Sequence, residues 1–523
     1  MEPGQYAGLK HTHSEQSMTS KPSIARRLCA ALTSVALASI AVSASAGALD
    51  DISKSWSYQH SSTGGFLSEI VGFDASTSTL WVAGVSGVDV LNARTGAFID
   101  RIDVSAYGQI NSVSINNGIA AFAIESSVRT NAGLVTLYDT STRSLLAGSS
   151  PITVGALPDM LTFTKDGSKI LVANEGTPGT YGTRIGNTVP RNYGAAANDP
   201  VGSVSIIDVG SRTVTHTATL AGVPQTGTNI RTNTGMDFEP EYIAVNAAGT
   251  KAYVTLQEAN AIGVLNVQTG QFEKVIGLGA KDFSLPGNRI DALNNGSINL
   301  SSVNAKGLYM PDGIAVYEKN GQTFVVMANE GDFREDDGDR SAASSLGATG
   351  ELANLRVTNT DSSAGNLFAA GARSFSIRDE DGNIVYDSGE ILDREAIARG
   401  IYDDGRSRDK GVEPEGVEVM EINGRTFALI GLERTTKAGI AVFDITDPAH
   451  ASFVDMIVSD GDLAPEGLRG YSLDGKFYLA FSSEGSNTTS VYQLAAAVPE
   501  PQTCAMVLSA LAVIGAMRAR RRR

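Results

Sequence analysis

Residues 157–176 read LPDMLTFTKDGSKILVANEG, and residues 310–331 read MPDGIAVYEKNGQTFVVMANEG. Each opens on an apolar residue, a proline and an aspartate. A short run rich in β-branched and aromatic residues follows, then a turn pair, Asp166-Gly167 or Asn320-Gly321. A second such run then ends on Asn-Glu-Gly. Two β-prone runs joined by Asp-Gly or Asn-Gly are the strongest short-range signal for a β-hairpin. The hairpin recurs. Copies start at Glu239-Pro240-Glu241, Glu413-Pro414-Glu415 and Ala464-Pro465-Glu466, with turns at Ala248-Gly249, Asn423-Gly424 and Asp474-Gly475. Looser copies start at Glu69 and Asn111, which brings the number to seven.

Each copy reads as three or four short strands, and no segment between them sustains a helical period. Repeated units of this size predict an all-β fold, a β-propeller, and seven copies predict seven blades. A six-bladed ring and two stacked sandwiches are the alternatives. Residues 52–59 are placed to supply a strand that closes the ring against the last copy, which would remove a sheet edge open to aggregation. Four long inserts, at 177–200, 221–238, 277–309 and 332–412, are expected to pack over one face. Loops this long are uncommon unless functional.

The two ends are of another kind. Lys21, Arg26 and Arg27 precede an apolar stretch from Leu28 to Val42, then Ala44-Ser45-Ala46 and Gly47. A basic region, an apolar run and an A-x-A site form a secretory signal, with cleavage after Ala46. Met18 is an alternative start, since residues 1–17 add nothing to the signal. At the other end Pro499-Glu500-Pro501 is followed by an apolar run from Thr503 to Met517 and five arginines among residues 518–523. The run is short for a permanent membrane span, and the arginines would hold it on the cytoplasmic side. The chain therefore divides into a signal region (1–46), a β-propeller body (47–495) and a sorting and anchor segment (496–523).

The whole chain carries a net charge of −16, and the basic ends conceal a body that is more acidic still. Such a body is repelled by nucleic acid and suits a secreted protein or a binder of cations. The only cysteines, Cys29 and Cys504, lie in the two ends, so neither disulfides nor zinc–thiolate chemistry belongs to the body. Its histidines, His60, His216 and His450, have no metal-binding spacing. There is no G-x-S-x-G elbow and no Walker-type loop.

The acids are more informative. In each clear copy one acid stands just after the proline, and a second ends the next strand 16 to 18 residues on. The pairs are Asp159 with Glu175, Glu241 with Glu258, Asp312 with Glu330, Glu415 with Glu433, and Glu466 with Glu484. A hairpin sets the start of one strand beside the end of the next, so all five pairs should gather at one channel mouth. Carboxylates so crowded raise each other's pKa unless something cancels their charge. A hard cation, Ca²⁺ or Mg²⁺, would do so, and so would bidentate arginines. Arg334, Arg373, Arg406 and Arg434 stand near these motifs, and the sequence leaves both answers open. Of the acidic clusters in the longest insert, residues 332–339 suit either a cation or a solvated loop, and residues 379–383 suit a hairpin turn.

These stretches, with VGSVSIIDV (201–209), FEPEYIAV (238–245), GARSFSIRDEDGNIVYDSGE (371–390) and RSRDKGVEPEGVEV (406–419), resemble the choice-of-anchor I family. The resemblance runs from about Asp51 to Leu494. It departs at Val412, where the family favours proline. The C-terminus resembles the PEP-CTERM sorting signal of Gram-negative bacteria. Together they imply a surface propeller handled by signal peptidase and then by an exosortase, with transient membrane anchoring. The resemblance implies no established reaction. Two functions follow: a surface binding or matrix protein, associated with exopolysaccharide, or a Ca²⁺- or Mg²⁺-dependent phosphoesterase. The second needs cationic groups for phosphate beside the metal, for which Arg373 and Arg406, with Arg378, Arg408 and Lys410, are the candidates. What separates the two is whether those groups face an open mouth or are spent on internal partners.

Overall fold

The computed structural model describes residues 49, 52–179, 197–232, 238–334 and 338–496. The chain divides into two units, Met1–Asp50 and Asp51–Arg523, and every element below belongs to the second. The cleavage residues Ala44 and Ala46 and the sorting residues Pro499, Glu500 and Pro501 lie outside the described residues.

Seven sheets of four or five strands occur among the described residues, matching the seven copies one for one. Their first strands are Ser68–Asp74, Gln109–Asn116, Pro158–Phe163, Ile243–Val245, Ile314–Lys319, Pro414–Ile422 and Pro465–Leu473. These strands touch in cyclic order, and the last touches the first. At one junction the Gly313 N–H donates to the Glu415 carbonyl at 3.2 Å. The chain folds as a β-propeller.

Closure follows the expected route. Ser53–Gln59 pairs antiparallel with Thr488–Ala496, so the seventh sheet is built from both ends of the body. His60 continues this seam: its Nδ1 lies 2.7 Å from Asp89 Oδ2 and its Nε2 2.8 Å from Thr489 Oγ1, all buried. The core lies between neighbouring sheets. One layer joins Trp81, Val88 and Val90 of the first to Val113, Phe122 and Tyr138 of the second, and another joins Phe375 to Ala428, Ile430 and Phe443. Each valine, isoleucine or phenylalanine among them contributes about 1.5–3 kcal/mol on full burial.

The inserts differ from expectation in two respects. The stretch 332–412 is not one insert, because Ser374–Asp379 returns to pair with Gln322–Asn329 and Ile384–Asp387 adds the outer strand of that sheet. Its alternating Ser-Phe-Ser-Ile is the period of a strand, with Phe375 and Ile377 fully buried. The stretch also holds an α-helix, Ile391–Ala398. Eight residues are too few to show as a period, yet Leu392 and Ala396, four apart, are buried on one face. Residues 379–383 do turn a hairpin: Asp379 Oδ1 accepts the N–H groups of Asp381 and Asn383 at 3.0 and 2.9 Å.

Two glycines tie the insert to the ring. Gly331 and Gly371 have φ of 83° and 76°, and their backbones pass almost in contact. A Cβ on Gly371 would stand 2.1 Å from the Glu330 carbonyl oxygen. No other residue permits that crossing, which places the insert beside Glu330.

Candidate functional site

The hairpins position the acids as the repeat implies. Pro158 pairs with Asn174, Pro414 with Leu432 and Pro465 with Ser483, so the acid following each is brought to the same end of its sheet. The residue before proline is held left-handed in four copies: Leu157, Met310, Glu413 and Ala464 have φ of 47°, 42°, 49° and 52°. That conformation costs about 1–3 kcal/mol at each non-glycine position. It aims the residue's carbonyl across the hairpin, where it accepts the N–H of Glu175, Gly331, Glu433 or Glu484 at 2.8–3.0 Å. Four equal strains at equivalent positions fix how the strand starts point.

They point into one cavity of about 750 Å³. Nine of the ten expected carboxylates line it, all except Glu258. In four pairs the second carboxylate raises the pKa of the first, and in the remaining pair Asp159 raises that of Glu175, as the hairpin geometry requires. Interactions also cross the ring. Burial, then Glu330, Glu466 and Asp159, holds Asp312 well above the ordinary range. Burial, then Glu466 and Glu433, does the same for Glu415. Burial is the largest cause throughout, so these carboxyls are short of water as well as of countercharge.

Several members of the site were not singled out from sequence. Glu69 and Glu125 line the cavity from the two loose copies. Glu125 closes its hairpin as Glu175 and Glu433 close theirs, so the repeat itself carried the signal. Glu239 and Glu413 occupy the residue before proline. Glu239 meets Arg334 at 2.9 Å, and Glu413 meets Arg406 at 2.5 Å and Lys410 at 3.0 Å. Lys410 also lies 2.6 Å from Glu330 and 3.6 Å from Asp332. Burial opposes its charge, but Glu330, Asp332 and Glu413 outweigh that and hold the ammonium well above the ordinary lysine range.

The ring is therefore divided. On the insert side Glu330, Glu413 and Glu433 face Lys410, Arg406 and Arg434, the last 2.5 Å from Glu433. Elsewhere, among the described residues, Asp312, Glu241, Glu415 and Glu466 make no ion pair. One oxygen each of Glu241, Glu258 and Glu415 is buried without a hydrogen-bond partner.

The expected anion-binding groups are placed differently. Arg373 does not line the cavity; it donates to the carbonyls of Asp291, Ser407 and Asp409 and lies 3.7 Å from Asp393. Arg378 donates to the carbonyls of Gly382 and Leu278. Arg406 does line the cavity, but its guanidinium is engaged by Glu413. Of the acidic cluster at 332–339, Asp332 reaches the cavity and Asp339 is buried against Arg231, while residues 335–337 lie outside the described residues.

Fold and site together define a β-propeller with a carboxylate-rich central cavity, half countercharged by its own insert. The choice-of-anchor I domain matches residues 69–448, and the chain belongs to that family. The PEP-CTERM protein-sorting motif matches residues 497–523. This marks an exported, surface-sorted protein of the Gram-negative type, processed by an exosortase and anchored at its C-terminus. Among the described residues no helix is long and apolar enough to cross a membrane. No curated protein matches the chain. Among solved structures, Kuenenia stuttgartiensis hydrazine synthase is similar, at 13% identity over 82% of this chain and 96% of that one, with a TM-score of 0.49.

Proposed function

We propose that this protein is a surface-displayed binding protein, associated with the extracellular matrix, whose ligand site is the acidic cavity and whose ligand includes a hard divalent cation. The observation that carries this reading is the surplus of carboxylates over cations on the propeller side of the cavity. Buried carboxylates without countercharge cost several kcal/mol each unless they are protonated or bind a cation. The phosphoesterase reading gains no support. Arg373, Arg378, Arg406 and Lys410 are spent on internal partners, which leaves none of these four to hold phosphate beside a metal.

Calcium titration of the processed protein, stripped with EDTA, tests the proposal. Calcium should raise the melting temperature, by the equivalent of about 2.7 kcal/mol at a hundredfold excess over the dissociation constant. A melting temperature indifferent to calcium, magnesium and EDTA would refute it.

A further inference from the structure

The cavity holds two trios of carboxylates whose facing oxygens lie within 4.8 Å of one another: Asp312, Glu330 and Glu415, and Glu330, Glu413 and Glu433. They share Glu330 but not their electrostatics. The second trio is matched one for one by Lys410, Arg406 and Arg434. The first has only its share of Lys410. Asp312 is 9% exposed, lines the cavity, and among the described residues makes no side-chain hydrogen bond or ion pair. Glu415 Oε2 is buried with no hydrogen-bond partner. An unpartnered Asp312 beside an unsatisfied oxygen of Glu415, whose carboxyl otherwise hydrogen-bonds Glu466, is an arrangement that a bound cation completes.

Size separates the two candidate ions. Calcium takes oxygen ligands at about 2.4 Å, so it can bridge oxygens up to about 4.8 Å apart. Magnesium, at about 2.1 Å, reaches only about 4.2 Å and demands a stricter octahedron. Both Glu330 oxygens have neighbours, Lys410 Nζ at 2.6 Å and Gln257 Nε2 at 2.8 Å. A carboxylate offers about four lone-pair positions, so Glu330 can keep both contacts and still ligate. Lys410 nevertheless draws on the charge that the ion would use.

We propose that Asp312, Glu330 and Glu415 form a single calcium site, and that Lys410 is a resident counter-cation that lowers its affinity and keeps a second ion from the neighbouring trio. This rests on the reading of the cavity as a cation site. It adds which carboxylates hold the ion, which ion, and what restrains it. Lys410 lies on the insert, 2.6 Å from Glu330 on the propeller, so the insert sets the affinity of a site whose other two ligands come from the ring.

Isothermal titration of the EDTA-stripped, processed protein with calcium chloride is the test. The wild type should bind one ion, with magnesium clearly weaker. Asp312→Asn and Glu415→Gln should each weaken calcium at least about tenfold, the loss expected when one of three charged ligands is neutralised. Glu125→Gln, which neutralises a cavity carboxylate outside both trios, should change little. Lys410→Gln should tighten calcium about tenfold or admit a second ion, since it releases Glu330 and Glu413. Lys410→Met, which keeps the apolar stem, serves if the glutamine variant does not fold. Wild-type binding that survives both ligand substitutions overturns this site but leaves the cavity reading standing. Magnesium binding as tightly as calcium overturns the size argument. Unchanged affinity and stoichiometry on losing Lys410 overturn the counter-cation. A wild type that binds no divalent ion overturns the site and the cavity reading together.

Discussion

Raising the pH should destabilise the cation-free protein. The carboxyls of Asp159, Glu175 and Glu466 are pushed up to about 7, Glu258 to about 8, and Glu69 and Glu433 to about 9. Burial is the largest cause in each, and a neighbouring carboxylate is the next. In the unfolded chain such groups titrate near 4. Between that value and their folded pKa, only the folded protein holds these protons. The stability they contribute is fully present below about pH 4 and is lost as the pH rises through 7 to 9. One pKa unit corresponds to about 1.4 kcal/mol. Glu175, raised from 4.5 to about 7, accounts for a loss on the order of 3 kcal/mol by pH 9. The six groups interact and do not add independently. Even so, two such losses rival a typical net stability of about 5–15 kcal/mol. The assay is urea unfolding at pH 5, 7 and 9, followed by fluorescence of Trp56 and Trp81, in EDTA and then in calcium. In EDTA the midpoint should fall steadily from pH 5 to 9. Calcium should restore most of the loss at pH 9 and little at pH 5, where protons already occupy the oxygens. A midpoint in EDTA that is flat or rises with pH would refute the reasoning.

Two further outcomes follow from the closing seam and the chain ends. Asp462 is 1% exposed on its side chain and accepts hydrogen bonds from Ser459, Thr488, Ser490 and Lys54, so Asp462→Ala should cost about 3–5 kcal/mol. A urea midpoint no lower than that of the exposed Asp460→Ala would show that the seam is not held there. Intact-mass measurement of surface protein should give a chain that begins at Gly47 and ends near Pro499, and Glu500→Ala should retain the tail. Cys504 in the surface material of the wild type would contradict the processing.

The ring was legible because the repeat writes one local instruction several times. Leu157-Pro158-Asp159 and Met310-Pro311-Asp312 announce a strand start, and Asp166-Gly167 and Asn320-Gly321 a turn, at ranges over which turn chemistry alone decides the backbone. Pairing of Asp159 with Glu175, or Glu415 with Glu433, then follows from strand geometry. The destinations of the insert cations were not legible. Arg373 and Arg406 both lie near the repeats in sequence, but one is turned onto backbone carbonyls and the other onto Glu413. Their partners depend on where residues 331–412 cross the ring, and that is settled by a few tertiary contacts, the Gly331–Gly371 crossing among them. No local pattern encodes such a crossing.

The sequence posed metal and arginine as rival ways to neutralise the acids, and the structure makes them neighbours. The repeat alone would place similar acids at every strand start, each equally short of countercharge. The insert breaks that equivalence by delivering Lys410 and Arg406 to one side, alongside Arg434 at the hairpin end. On that side ion pairs compensate part of the desolvation of Glu330, Glu413 and Glu433, although burial still holds Glu330 and Glu433 above the ordinary range. On the other side burial continues without compensation, and Asp312 and Glu415 are left to protons or to an ion from solution. A propeller repeated uniformly would offer a diffuse acidic funnel. The asymmetry imposed by one insert concentrates the unmet charge at a few oxygens, and a specific cation requires such concentration. The segment that carries Arg406 and Lys410 thus acts as the determinant of the site by what it neutralises.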